Sequence, residues 1–405
     1  MADYACISLP GRVLAALLGL LIGGGQLGQP ATAQPTRSFH TLDGRTLPPA
    51  YLDRTIRHLM DSARVPGLAV ALFEHNRLQY LRTFGYRNVA AQEPLTPQTS
   101  MYAASFSKAV FAYLVMQLVE EGKLNLDRPL AQYLPKPIPD YPQYQDLAGD
   151  ARWQQITARQ SLTHTTGLPN WRWIAPDKKL RFKFNPGQQY WYSGEGLQLL
   201  QLAVEQLTGQ SLVQLSEARV FRPLSMTQTS YVWQPKFEQN YALGYDEQGQ
   251  PLPKRRRTTA GAAGSLETTP ADYARFLAAV MQGRGLRPAT KQEMIRRQVR
   301  IPYRGQFGPL ATVAAADSNR TIQLGYGLGW GTFESPYGPA YFKEGHDDGW
   351  ENHSVVFSRA GKAILLMGNS SNADATFMAL LARLLGDRTT PAQWENYAEY
   401  PPTAP

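Results

Sequence analysis

The chain carries a single cysteine, Cys6, in 405 residues. Cys6 lies ahead of the apolar stretch 13–22, so a mature chain lacking that stretch has neither a disulfide nor thiol chemistry. Histidine is scarce as well, at six. There is no H-E-x-x-H and no cysteine pair, which removes the common zinc spacings. The one concentration of His346 and His353 with Asp347 and Asp348 puts neighbouring side chains on opposite faces of a strand. No metal and no cofactor are therefore expected. No G-x-S-x-G is present, which excludes the strand-to-helix nucleophile elbow, and no glycine-rich phosphate loop appears. Long hydrophobic runs are absent too: 13–22 is too short to span a bilayer comfortably.

Charge is unbalanced, at a formal +9. Yet the only dense basic run is Lys254-Arg255-Arg256-Arg257, with no interleaved aromatics. It reads as a solvated loop, and no nucleic-acid partner is expected. A basic surface does attract anionic polymers, so proximity to cell wall or lipid headgroups fits the composition.

Arg12, the apolar stretch and the small-residue site Ala31-Thr-Ala33 follow the plan of a secretory signal peptide, with Asp3 a small irregularity. Residues 1–33 are expected to be that peptide and the protein to be exported, to the periplasm or the outside. Residues 34–389 then form one domain, and 390–405 a Pro-rich tail. Within the domain, helices are predicted at 50–63, from near Ser105, at 196–207, from Thr269-Pro270 and at 374–385. Strands are predicted at 68–73, 78–84, 326–333, 354–357 and 363–367. Strands at both ends with a helical insertion at about 125–257 predict a mixed α+β fold. No internal repeat is visible.

Three motifs carry possible chemistry. Ser105-Phe-Ser-Lys108 opens an apolar helix whose residues Ala109, Val110, Tyr113, Leu114, Met116 and Leu118 follow helical spacing. One turn separates Ser105 from Lys108, so the two share a face. A neutral amine there can take the serine's proton, and the helix N-terminus favours the negative charge that develops. The second motif, Tyr190-Trp-Tyr192-Ser193-Gly194-Glu195-Gly196, sets tyrosines on a glycine-rich turn. As phenolate, Tyr192 can act as a general base if ammonium groups lower its pKa. Read alone, Tyr190 and Tyr192 are packing aromatics. The third, Lys343-Glu344-Gly345-His346, sets a lysine beside a glycine that allows close approach to a ligand; read alone, Lys343 is a surface lysine.

Together and in this order, S-x-x-K, Tyr-Ser and K-x-G resemble the serine β-lactamase and penicillin-binding-protein superfamily. The nearest branch is class C β-lactamases with their esterase, D-aminopeptidase and D,D-carboxypeptidase relatives. The likeness extends to Ile156-Thr157 through Thr163-His164-Thr165-Thr166-Gly167-Leu168-Pro169, to Pro223-Leu224-Ser-Met226 with Thr229, to Gly264 through Asp272, and to Tyr326-Gly-Leu-Gly-Trp330. It implies a β-lactamase/transpeptidase-like fold: an antiparallel sheet flanked by helices with a mostly helical inserted subdomain. By the same resemblance Ser105 is the acylated nucleophile and Lys108 helps deprotonate it. Tyr192 relays the proton, and Lys343, often His in esterase-like relatives, supports the tyrosine and the substrate. The backbone N–H groups of Ser105 and His346 form the oxyanion hole, each donor of that kind contributing about 3–4 kcal/mol. His164 makes structural hydrogen bonds in its turn.

Two departures bear on substrate. Gly194 stands where the family's Tyr-x-Asn has its asparagine, and Glu344 replaces the hydroxyl of K-T-G. Gly194, Glu344 and Gly345 are the expected substrate-binding positions. If Glu344 faces the cleft it repels a carboxylate, although strand alternation permits it to point away. Asp347, Asp348 and Glu195 add negative charge nearby. A small-molecule ester, amide or peptide substrate is expected, with an uncharged ester or an amine-bearing compound favoured over a penicillin. The alternatives are a β-lactamase or D,D-carboxypeptidase, and a non-catalytic penicillin-binding-type sensor. Against the sensor stand Ser105, Lys108, Tyr192 and Lys343, which perform chemistry rather than recognition.

Overall fold

Strand β1, Gly67–Glu74, is buried along its whole length and shows how the core is divided. Side chains alternate across a strand. Leu68, Val70 and Leu72 enter one hydrophobic cluster, and Ala69, Ala71 and Phe73 enter the other. Each fully buried large apolar side chain stabilises the fold by about 1.5–3 kcal/mol, so the two-faced strand ties both layers together. The computed structural model describes residues 37–314, 317–395 and 397. The expected signal peptide and Cys6 lie outside the described residues, as does most of the expected Pro-rich tail.

A two-residue turn at His75 and Asn76, φ 51° and 59°, joins β1 to β2, Arg77–Asn88. That conformation matches the twist of a tight hairpin. The sheet continues with β3, Glu93–Pro94, and after a long excursion with β4, Val299–Arg300, and β5, Gly325–Tyr326. It closes with β6, Gly331–Ser335; β7, Gly338–Asp347; β8, Trp350–Phe357; and β9, Lys362–Gly368. The nine strands lie in the order β3-β2-β1-β9-β8-β7-β6-β5-β4, and every pairing is antiparallel. The first and last long strands pair inside the sheet, Leu68 opposite Gly368. The fold is therefore α+β, as expected. The predicted single strand at 326–333 is instead two, β5 and β6. Gly329 breaks it at φ +86°, where a Cβ would sit 2.4 Å from Ala112 Cβ.

Helix α1, Pro49–Ala63, has proline in its first turn and ends at Arg64 in the left-handed region. It buries Leu52, Ile56, Leu59 and Met60 against one sheet face. On the other face lies α2, Phe106–Glu120, buried from Phe106 through Met116. A helix apolar all round belongs in a core. The excursion between β3 and β4 contains, besides α2, short helical turns, α3 (Gly194–Thr208), α4 (Pro270–Gln282) and a helix at Pro288–Ile295. Helix α5, Asp374–Leu380, follows β9 and passes into a wider π turn at Leu381–Leu385, where one continuous helix was predicted. The stretch that begins the expected tail is packed: Thr390, Trp394 and Glu395 are buried.

Candidate active site

Ser105 sits at the N-terminus of α2, and its neighbour Ala104 is held at φ 45°. A left-handed alanine is strained and persists only where surrounding contacts fix it. The Ser107 hydroxyl donates to Ala104 O at 2.6 Å and accepts the Leu266 N–H at 3.0 Å. These bonds hold the turn at Ala104, and Ser105 lines a cleft of about 860 Å³ with Tyr102, Trp171, Tyr192, Gln306, Glu344 and His346.

Lys108 is the first partner. Its Nζ lies 2.9 Å from Ser105 Oγ and donates to Ala263 O at 2.6 Å. Burial, reinforced by the Lys343 charge, holds its pKa well below the ordinary lysine value. The environment thus favours the free amine over the ammonium. Lys343, fully buried on β7, points its Nζ 3.3 Å from Tyr192 OH and 2.7 Å from Glu344 Oε1. Burial lowers Lys343 as well, while Glu344 pulls it back up. Tyr192 goes the other way: burial and then the Glu344 charge raise it well above the usual phenol value. The phenolate reading is thereby corrected. Tyr192 is a neutral phenol here.

The tyrosine turn is held from below by His164. The His164 Nδ1 accepts the Ser193 N–H at 3.1 Å, and the ring lies 4.3 Å from the Tyr192 ring. Burial keeps His164 neutral, with its pKa well below the usual imidazole value. Ser193 caps α3 by accepting the Gly196 N–H at 2.9 Å. Tyr190 is a packing aromatic, 6.1 Å from the Trp394 ring and 5.5 Å from that of Tyr326.

Strand β7 reaches the site because it outruns its neighbour. Its pairing with β6 ends at Phe342 opposite Gly331, while its pairing with β8 continues to Asp347 opposite Trp350. Gly345 lies against the start of α2, where a Cβ would be 2.5 Å from Ala103 O and 3.3 Å from Ser105 N. Only glycine lets strand and helix approach so closely. The His346 side chain bonds to the Glu351 carboxylate, which pushes its pKa up to about 9.

The expected substrate positions separate. Glu344 does not point away: it is buried on the cleft wall, with Oε1 bonded to Lys343 and to Gln306 Nε2 at 3.0 Å. Gly194 is a correction. Its N–H bonds to Asn170 O and Oδ1 at 3.0 and 3.1 Å, and a Cβ would strike the Trp171 ring at 2.7 Å. It is a packing position beneath Asn170 rather than a cleft wall. The acidic rim is corrected too. Glu195 is bound by Arg172 at 2.7 Å, and Asp347 by Arg255 and Arg257 at 3.2 and 3.5 Å. Buried or half-buried carboxylates require such partners. Nor is the basic run a uniformly solvated loop: Lys254 is buried against Glu267 at 2.9 Å, and Arg255 and Arg257 line the cleft.

Asn170, Trp171, Gln306, Phe307 and Glu395, none of them singled out by sequence motifs, also line the cleft. Trp171, Ile174, Trp191, Tyr192 and Phe307 enclose an adjoining apolar pocket of about 390 Å³. A sequence signal existed only for Asn170, which directly follows the Gly167-Leu168-Pro169 segment. Among the described residues no His, Cys, Asp and Glu group is placed to hold a metal ion, and no helix is long and apolar enough to cross a membrane.

Comparison with known proteins gives this geometry relatives. The β-lactamase family model matches residues 52–387. The chain is 27% identical to a β-lactamase of Escherichia coli strain K12 over 324 residues, 77% of this chain and 76% of that protein. It is 28% identical to esterase EstB of Burkholderia gladioli over 253 residues, 56% of this chain but only 61% of the esterase. In three dimensions it resembles the octameric penicillin-binding protein homologue from Pyrococcus abyssi, with a TM-score of 0.67 and 22% identity. That match covers 84% of this chain and 78% of the other.

Proposed function

The chain belongs to the β-lactamase family and is a serine hydrolase of it; on that premise we propose that it is exported and cleaves esters or amides through an acyl-enzyme on Ser105. The observation that carries this reading is the buried Lys108 amine 2.9 Å from Ser105 Oγ. Neutral Lys108 takes the hydroxyl proton as Oγ attacks the substrate carbonyl carbon. The oxyanion that forms is held by the backbone N–H groups of Ser105 and His346, where β7 abuts the start of α2. Collapse breaks the bond to the leaving group, and Tyr192 donates the proton that group needs. Tyr192 then receives a proton from water, whose oxygen attacks the acyl carbon. The acid is released as Lys108 returns to Ser105 Oγ the proton it took. Lys343 positions the Tyr192 hydroxyl.

Glu344 supports a neutral ester over a carboxylated β-lactam, because its charge stands on the cleft wall where K-T-G supplies a hydroxyl. The apolar pocket formed by Trp171, Ile174 and Phe307 gives an uncharged group a place beside the nucleophile. A second reading, β-lactamase or D,D-carboxypeptidase, is favoured by Arg255 and Arg257 on the cleft, which offer charge partners to a carboxylate. A panel of p-nitrophenyl esters, D-amino-acid anilides and nitrocefin decides between them. The first reading expects kcat/KM for neutral short-chain esters to exceed that for nitrocefin by about tenfold or more. Comparable turnover contradicts it.

A further inference from the structure

Six large apolar side chains are exposed among the described residues: Leu78, Tyr86, Trp173, Ile174, Leu310 and Val313. Single ones scattered over a surface are ordinary. The last four, however, belong to two segments that meet at one place, the apolar pocket beside Tyr192. Ile174 and Ala175 line that pocket from the first segment, and Phe307, Gly308 and Ala311 from the second. Neither segment is slack. The Trp173 ring stacks on Trp171 at 4.6 Å, and the Ile174 N–H donates to Trp171 O at 3.2 Å. The turn Gly308–Thr312 is pinned by the Arg304 N–H on Val313 O at 3.0 Å and the Gly305 N–H on Leu310 O at 3.2 Å. Trp173 and Ile174 nevertheless remain 57% and 67% exposed. The fold therefore holds apolar side chains out in water around the pocket mouth.

The charge around this rim has one sign in excess. Residues 171–183 hold five basic side chains, and Asp177 is the one acidic residue among them. Arg172 is bound to Glu195 and Arg181 to Asp177. Lys178, Lys179 and Lys183 are exposed and have no ion-pair partner among the described residues, and the same holds for Arg304 beside the second segment. The Lys178 N–H donates to Ala175 O at 2.9 Å, which keeps it by the apolar residues, and Lys183 Nζ lies 3.7 Å from the centre of the Trp191 ring at the pocket. An occupant of this face must offer apolar surface and negative charge together. A charged wall polymer brings the charge alone. A second copy of the chain in a two-fold contact would set the same lysines against each other. A bilayer with anionic headgroups offers both, acyl chains for the apolar side chains and phosphates at the level that lysine stems reach. We infer that the pocket rim docks on an anionic lipid surface, with Trp173, Ile174, Leu310 and Val313 in the headgroup–acyl boundary and Lys178, Lys179, Lys183 and Arg304 on the lipid phosphates. The pocket mouth then opens onto the acyl chains. Docking in this pose uses neither Ser105 nor Lys108.

Cosedimentation of the full chain with vesicles tests this, one set of phosphatidylcholine and one of phosphatidylcholine mixed with phosphatidylglycerol. Tighter binding to the mixed vesicles is expected, weakening as salt is raised. Trp173→Ser combined with Leu310→Ser should lower the affinity about tenfold or more on both vesicles. Lys178→Ala combined with Lys179→Ala should lower it about tenfold on the mixed vesicles and leave the neutral ones unaffected. Leu78→Ser, at an exposed apolar position on β2, should change neither. If Trp173→Ser lowers the melting temperature, Leu310→Ser with Val313→Ser gives the second reading of the rim. Residues 13–22 are common to every variant, so binding through that stretch would leave the variants equal to the wild type. Equal affinities, or binding to neither vesicle, overturn the inference. So does a self-association that Trp173→Ser abolishes with no loss of vesicle binding, which would make the rim a subunit interface. The readout is binding and not turnover: a Ser105 that no fluorophosphonate labels sinks only the acyl-enzyme, and unchanged rim variants sink only the docking surface.

Discussion

Lys108 Nζ stands 2.9 Å from Ser105 Oγ, one turn along the helix, with the Ala263 carbonyl at 2.6 Å as its other partner. A fully buried lysine beside a second lysine is costly to charge, and here that cost favours the free amine as proton acceptor. The relationship joins a sequence spacing to an environment, and on the proposed reading it is what turns an inert hydroxyl into a nucleophile.

Lys108→Met should lower kcat/KM by about 10²–10⁴, the usual contribution of a positioned base. In the wild type, kcat/KM should fall as pH drops through the lowered Lys108 pKa, since protonation removes the base. The stability sign follows. Unfolded lysine titrates at about 10.4. Between the lowered native pKa and that value the unfolded state holds more protons, so stability rises with pH across the window. Lys343, also lowered, adds a slope of the same sign. Denaturant melts at several pH values should therefore show a shallower rise in Lys108→Met than in the wild type.

Tyr192→Phe tests the relay. The phenol is held neutral by burial and by Glu344, so its loss removes a proton donor and acceptor rather than a charge. A fall in kcat of about 10²–10⁴ is expected, with Ser105 still labelled by a fluorophosphonate. Unchanged turnover would assign Tyr192 to packing, as Tyr190 is.

Much of this was legible in the sequence, for physical reasons. Helical spacing placed α2 and put Ser105 and Lys108 on one face, and short strand-like runs located β1, β2, β8 and β9. The break at Gly329 escaped because it depends on the close approach of Ala112, a contact distant in sequence. The burial of Lys254 escaped for the same reason, since its partner Glu267 lies across a loop. Gln306 and Glu395 carry no motif: they become wall residues only when the segments after β4 and after α5 fold over the end of the sheet. Glu344 was ambiguous by alternation alone; its contacts with Lys343 at 2.7 Å and Gln306 at 3.0 Å come from the fold and not from the strand's periodicity.

Gly345→Ala should injure the site without removing any functional group. The added Cβ would meet Ala103 O at 2.5 Å and the N–H groups of Ser105 and Phe106 at 3.3 and 3.2 Å. Overpacking of this kind costs about 1–3 kcal/mol. Pushing β7 off the nucleophile should also lower kcat by about 10²-fold. Thermal melts and steady-state kinetics check the two effects separately.

Glu344→Thr restores a hydroxyl beside Lys343 and removes the repelling charge. Nitrocefin turnover should rise relative to a neutral ester by about tenfold, the worth of one hydrogen bond to a charged group. An unchanged ratio would mean that Glu344 does not govern substrate choice.

The central claim is that Ser105 is the acylated nucleophile, and intact-protein mass after exposure to a fluorophosphonate probe tests it most directly. The account predicts one adduct on the wild-type chain and none on Ser105→Ala. An unlabelled wild type, or equal labelling of Ser105→Ala, would contradict it.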